Sequence, residues 1–320
     1  MIIFDPGHGC CLPLRGKTKN ASKMKKQTAI ILLAAALVLP AALSAGRRQL
    51  RVFSANVPSS TVIARAPGLT EFVYDYSFSV DPSGVDDARE TDRMLLQTAP
   101  GGLSKFTSLV NVSVDSVLMT STPEQIQDAL LNGRLESGDY MNVFKNYPST
   151  GLLTYTDKIC NDWFRYGEEM PVFDWTLTDS TLTVLGYECR GATCSFRGRE
   201  WTVFYAEDIP LSDGPWKLCG LPGLIMEASA DGGAYRFECV GIMNDTQRPV
   251  SVYDVPYNDT DRHKFYATKY SFDTNPYAYF AASGQGLITV NDENGNPDPT
   301  AFDPVPLPYD YIETDWNIKK

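Results

Sequence analysis

The chain has 320 residues, with 28 basic and 39 acidic side chains, seven cysteines and two histidines. A net charge of −11 repels phosphate backbones and anionic bilayer surfaces, which argues against nucleic acid as a partner. Only His263 of the two histidines lies beyond residues 1–45, too few for a multi-histidine zinc centre, and no Walker loop, dinucleotide fingerprint or calcium-loop spacing is present, so neither metal nor cofactor is expected.

Met24-Lys25-Lys26 leads into small and apolar residues from Ala29 to Leu39, then Pro40 and the small residues Ala41 to Gly46. That is the layout of a secretory signal peptide. The apolar run of about 11 residues falls short of the ~20 that a spanning helix requires, which favours cleavage near Ser44 to Gly46 over an uncleaved anchor. Residues 1–23 read as a mis-called N-terminal extension, 24–45 as the signal peptide and 46–68 as an extended leader. The predicted home is the periplasm or outer envelope of a Gram-negative bacterium, with a mature form that does not span the membrane. Losing the six basic and one acidic residue of 1–45 would move the net charge from −11 to −16.

Residues 69–283 read as a single β-rich domain. Glu71 to Val80 alternates aromatic or β-branched residues with polar ones, the period of a half-buried strand, and Asp81-Pro82-Ser83-Gly84 supplies a turn. Arg93 to Thr98 and Val110 to Thr120 repeat the alternation and are predicted strands. Thr122-Pro123-Glu124-Gln125 is a capping box that opens a helix, with Ile126, Ala129 and Leu130 on one face and Gly133 as its stop; a second helical stretch is predicted over Tyr140 to Tyr147. Short strands are expected over Leu152 to Lys158, Val172 to Leu177, Leu182 to Cys194, Trp201 to Tyr205, Gly223 to Ala230 and Ala234 to Ile242. Turns at Asp179-Ser180, Asp213-Gly214-Pro215 and Asp231-Gly232-Gly233 give the spacing of an antiparallel meander. Residues 284–320 form a Pro- and Asp-rich tail, with Tyr309 to Trp316 docking back as a final strand.

Cys160, Cys189, Cys194, Cys219 and Cys239 follow the leader, and an oxidising envelope permits disulfides among them; buried free thiols are the alternative. His263, between Arg262 and Lys264, is predicted to face solvent. No Gly-x-Ser-x-Gly elbow accompanies it, so no catalytic residue is assigned. Glu168-Glu169 and Asp86-Asp87 are the carboxylate pairs a glycoside hydrolase would need, and on so acidic a chain they read as solvated surface.

Leu185 to Ile225 carries the densest signal. Gly220 and Gly223 bracket Leu221-Pro222 in a sharp apolar turn that Leu224 and Ile225 continue as a strand, while Arg197-Gly198-Arg199 sets a basic pair nearby. Trp175 lies upstream, then Gly186-Tyr187-Glu188-Cys189 and Ala192. Phe196 to Trp201, Phe204-Tyr205, Ile209-Pro210 and Gly214-Pro215-Trp216-Lys217 follow in order. This series resembles the signature of the GLPGLI family of secreted envelope proteins, strongly over 158–243 and more faintly over 70–120. Phe204 in place of the usual tryptophan and Leu218-Cys219 in place of phenylalanine and a small residue depart from that pattern.

The resemblance implies a mainly β (α+β) fold: a curved antiparallel sheet, comparable with the half-barrels of lipoprotein carriers, under one or two covering helices. It brings no established activity. A non-enzymatic carrier of a lipid, acyl chain or peptide is the first functional expectation, with binding residues Gly220, Leu221, Pro222, Gly223, Leu224, Ile225, Arg197, Arg199, Trp175, Tyr187, Trp201 and Tyr205. An accessory protein of an outer-membrane complex is the second expectation and a carboxylate-based hydrolase the third. The partner is open, between a lipid and an outer-membrane protein.

Overall fold

Alternation along the chain translates into a sheet with two chemically distinct faces. A computed structural model describes residues 59–64, 69–80, 88–132, 137–276, 278–279, 303–307 and 309–317. The expected signal peptide, the Asp81–Gly84 turn and Asp86-Asp87 lie outside them. In chain order the elements are β1 (Ser60–Ala64), β2 (Leu69–Ser79), β3 (Arg89–Thr98), β4 (Ser104–Ser108), α1 (Leu109–Thr120), α2 (Pro123–Leu131) and β5 (Asn142–Lys145). They continue as β6 (Leu152–Ile159), β7 (Asp162–Glu169), β8 (Thr176–Val184), β9 (Tyr187–Phe196), β10 (Arg199–Ala206), β11 (Leu224–Ala230) and β12 (Tyr235–Thr246). β13 (Val250–Tyr253), β14 (Tyr257–Asp259) and α3 (Arg262–Thr274) close the series.

The fold is mainly β, as expected. Twelve strands form one curved sheet in the order β14-β7-β6-β5-β4-β3-β2-β12-β11-β10-β9-β8, which does not close into a barrel. Two meanders, β2 to β7 and β8 to β12, are joined where β12 returns beside β2, pairing Tyr235 with Phe78 and Phe237 with Tyr76. Every neighbouring pair is antiparallel except β14 on β7. β1 pairs with β13 as a separate ribbon, so Ser60–Ala64, placed by the sequence in an extended leader, is part of the fold.

The inner face carries Phe72, Tyr74, Tyr76 and Phe78 from β2, Met94 and Leu96 from β3, and Trp201, Val203 and Tyr205 from β10. Stacked rings fill it: Tyr76 lies 4.8 Å from Phe237, and Tyr155 4.7 Å from Tyr166. α3 adds Phe265 and Tyr266 to the same core. The opposite face of the central strands is covered by the β1–β13 ribbon and α1.

Two segments change type. Val110 to Thr120 is helix α1, not a strand: Ser108 caps it by accepting from the Asn111 amide, and Ser113 and Thr120 bond the carbonyls of Leu109 and Ser116. Those local bonds and the packing of α1 on β3 and β4 override the β-branched composition. Tyr140 to Tyr147 is not helical, because Asn142–Lys145 forms β5 between β4 and β6. The predicted single strand Leu182 to Cys194 is two strands, since Leu185 (φ 51) and Gly186 (φ 86) make a two-residue hairpin turn between β8 and β9. Val172 to Leu177 is strand only from Thr176 onward. The capping box forms as read: the Thr122 amide donates to Gln125 Oε1 at 2.8 Å and the Gln125 amide to Thr122 Oγ1 at 3.4 Å.

Lys105 is buried under the ribbon, donating to the Ser251 carbonyl at 2.9 Å above the rings of Phe144 and Tyr253. Burial pulls its pKa from 10.5 down to about 8, against the opposing charge of Asp115. Between those values the unfolded chain binds more protons than the folded one, so stability rises with pH. Urea unfolding should therefore show the unaltered protein gaining on Lys105→Met from pH 8 to about pH 10; a difference that stays flat across that window would contradict it.

Candidate binding groove

The GLPGLI turn is held by its backbone. Gly220 has φ +92, and a side chain at Gly223 would overlap the Ala206 carbonyl, so both positions require glycine. The Trp175 indole donates to the Cys219 carbonyl at 2.9 Å, and the Leu224 and Ile225 amides donate to the Ile209 and Asp213 carbonyls. Lys145 reaches across from β5, bonding the Asp213 carboxylate at 2.5 Å and the carbonyls of Gly214 and Leu218 at 2.7 and 2.9 Å. The segment before the turn folds into the inner face, where Trp216 stacks on Trp201 at 5.5 Å and Leu218 and Leu221 are buried.

Beside Trp216 stands Lys217, with no exposed surface. Its ammonium pairs with Glu168 of β7, lies 2.7 Å from Glu313 and donates to the Tyr166 hydroxyl at 3.2 Å. Burial, then the charges of Glu313 and Glu168, push the Tyr166 pKa well above its ordinary value, so its hydroxyl stays protonated. Arg197 also pairs with Glu168, and Arg262 of α3 bonds Glu313 at 2.8 Å and Asp315 at 2.6 Å. Burial lowers the Arg262 pKa, but the bond to Asp315 and the charge of Glu313 outweigh it and hold it above its usual value.

Glu313 and Asp315 belong to a C-terminal segment, 309–317, that lies between α3 and the β9–β10 end of the sheet. It docks as predicted but not as a strand, for side chains rather than a ladder hold its backbone. Arg199 donates to the Tyr311 and Ile312 carbonyls at 2.5 and 3.0 Å and pairs with Asp231 at 2.5 Å. The Tyr235 hydroxyl donates to the Asp310 carbonyl at 2.6 Å, and the Thr314 amide to the Arg197 carbonyl at 3.0 Å. Tyr309 packs on Phe78, and Tyr311 and Trp316 pack on Tyr266. His263 is half-buried on α3 rather than exposed, its Nδ1 2.7 Å from the Trp316 carbonyl.

Of the predicted binding residues, Trp201, Tyr205, Leu221, Leu224 and Ile225 are core, Trp175 and Tyr187 half-buried, and Gly220 and Pro222 exposed at the turn. Arg197 and Arg199 meet in the groove, Arg199 almost wholly buried. The sequence placed Lys217 in the signature without a role and read Glu168 as solvated surface, whereas Glu168 is largely buried between Arg197 and Lys217; Arg262, Glu313 and Asp315 were given no role. A lysine inside the apolar run Trp216 to Leu221 was the available signal for burial; nothing local showed which carboxylates would meet it, because they arrive from distant segments. Glu168 is committed to two cations, and Glu169 is exposed. Cys189, Cys194, Cys219 and Cys239 are buried free thiols, the alternative to disulfides that the sequence left open. Among the described residues no cluster of His, Cys, Asp or Glu is arranged to hold a metal ion, and no helix is long and apolar enough to cross a membrane.

No family model and no curated protein matches the chain. Among solved structures it is similar to PNGF-II in a P21 crystal form, at 13% identity and a TM-score of 0.40, over 64% of this chain and 33% of that one. The C2 form gives 12% identity and a TM-score of 0.40 over 62% and 32%. The chain thus spans about a third of the length of these proteins.

Proposed function

We propose that this is a non-enzymatic cell-envelope protein of the GLPGLI kind that binds an extended, partly apolar ligand in the groove between α3 and the β9–β10 end of its curved sheet. The observation that carries this reading is the docked segment 309–317, an extended stretch of chain with buried aromatic side chains. Its carbonyls are read by Arg199 and Tyr235 instead of by a neighbouring strand. A groove that holds backbone in this way suits an elongated ligand with an apolar face, and the resemblance over 158–243 together with the leader read at 24–45 supports an envelope location.

Native mass spectrometry of the protein purified from its own envelope tests the reading. A co-purifying molecule released on denaturation is expected; the polypeptide mass alone, with no uptake of added oleate or peptide, would contradict it. A second reading, docking on an outer-membrane protein, is favoured by the β8 edge, unpaired among the described residues, where Leu177 is 61% exposed and Val172 just before it 96%.

A further inference from the structure

We infer that the groove is a receptor for an acidic, aromatic peptide and that the C-terminal segment is its built-in occupant. The inference rests on the groove reading above and narrows its ligand class from any apolar molecule to a peptide bearing paired carboxylates.

The argument is one of charge. Lys217, Arg197 and Arg262 converge from the signature segment, the β9–β10 turn and α3 on one buried point. Among the described residues outside the docked segment, Glu168 is the one carboxylate paired with these three cations. The two missing negative charges are Glu313 and Asp315, both from the docked segment: Lys217 and Arg262 pair with Glu313, Arg262 also with Asp315, and Arg197 lies 3.7 and 3.9 Å from them. Without the segment, an otherwise acidic protein would hold an excess of two positive charges in a mostly apolar groove, an arrangement stable only with an anionic occupant. An acyl chain supplies one carboxylate at most and no carbonyls for Arg199 and Tyr235. An extended peptide with a Glu-x-Asp spacing and flanking aromatics supplies all of these contacts.

The occupant is also attached in a way that permits exchange. It adds no rung to the sheet, and it is preceded by Asp303 to Pro306, which are exposed. A peptide of the same chemistry from a partner protein can therefore take its place without breaking a strand pairing.

The test is fluorescence anisotropy with a labelled synthetic peptide of sequence 307–317, titrated into the full chain and into the full-chain double variant Glu313→Gln/Asp315→Asn. The variant, whose own segment competes poorly, should bind at least about tenfold more tightly than the unaltered chain, the equivalent of about 1.4 kcal/mol. A peptide with Gln and Asn at the two acidic positions should bind at least about tenfold more weakly than the acidic one. Equal binding of acidic and neutral peptides overturns the inference. Oleate uptake with no peptide binding overturns it while leaving the groove reading intact, and uptake of neither overturns both. Should the double variant not fold, the unaltered chain still decides: excess peptide must accelerate hydrogen exchange at the Thr314 amide, and an unchanged rate refutes displacement.

Discussion

Replacing Lys217 with methionine is expected to destabilise the protein by about 3–5 kcal/mol, measured as a shift in the urea midpoint at constant slope. The methylene stem is preserved, so packing against Tyr155, Tyr166 and Trp216 changes little. What is lost is the charge between Glu168 and Glu313; Glu313 has no exposed surface while its segment is docked, so the variant suffers either the stranded carboxylates or the loss of the segment's docking. Removing one partner of a buried ion pair strands the others, which costs far more than the pair contributes against an apolar replacement. The double change Lys217→Met/Glu313→Gln should accordingly recover part of the loss, because Glu168 still answers Arg197 and Asp315 still answers Arg262. A methionine variant as stable as the unaltered protein would mean that Lys217 is not buried among carboxylates.

The second large effect is expected at Trp216. Truncation to alanine should cost about 3–5 kcal/mol, because a fully buried indole stacked on Trp201 and edge-on to Phe196 leaves a cavity that the rigid sheet cannot close. Phenylalanine should be far milder, within about 1.5 kcal/mol, since most of the volume remains and the indole N–H has no hydrogen-bond partner to lose. Near-equal losses for the two variants would argue against a packing role. Trp216 also holds φ +52, a conformation bulky residues rarely adopt, and burial of its ring offsets that strain.

The sheet was legible wherever alternation met a turn signal. β2, β3, β6, β10, β11 and β12 follow from period-two patterns, and α2 from its capping box, because each is decided by neighbours along the chain. Leu109–Thr120 misled for the same reason: Ser, Thr, Asn and Val alternate like a strand, and only the Ser108 cap and contacts with β3 and β4 make it a helix. The Arg197-Gly198 hairpin, both residues at positive φ, was visible as a basic pair but not as a device that presents a carbonyl to Thr314. Half of the groove was legible, since the GLPGLI turn and the two arginines sit in one continuous segment. The other half was not. Glu168 was visible only as half of an acidic pair read as solvated surface, because its strand β7 alternates weakly, and Glu313 is brought in by a tail whose composition resists regular structure.

The central claim is that the 309–317 segment occupies the groove as a ligand anchored by its carboxylates, not as an integral strand. Native-state hydrogen exchange at Thr314, in the unaltered chain and in Glu313→Gln, tests it most directly. Protection that falls in the variant while Val203 and Ala228 amides in β10 and β11 keep theirs is the expected result. Exchange at Thr314 only together with global unfolding in both proteins would contradict the account.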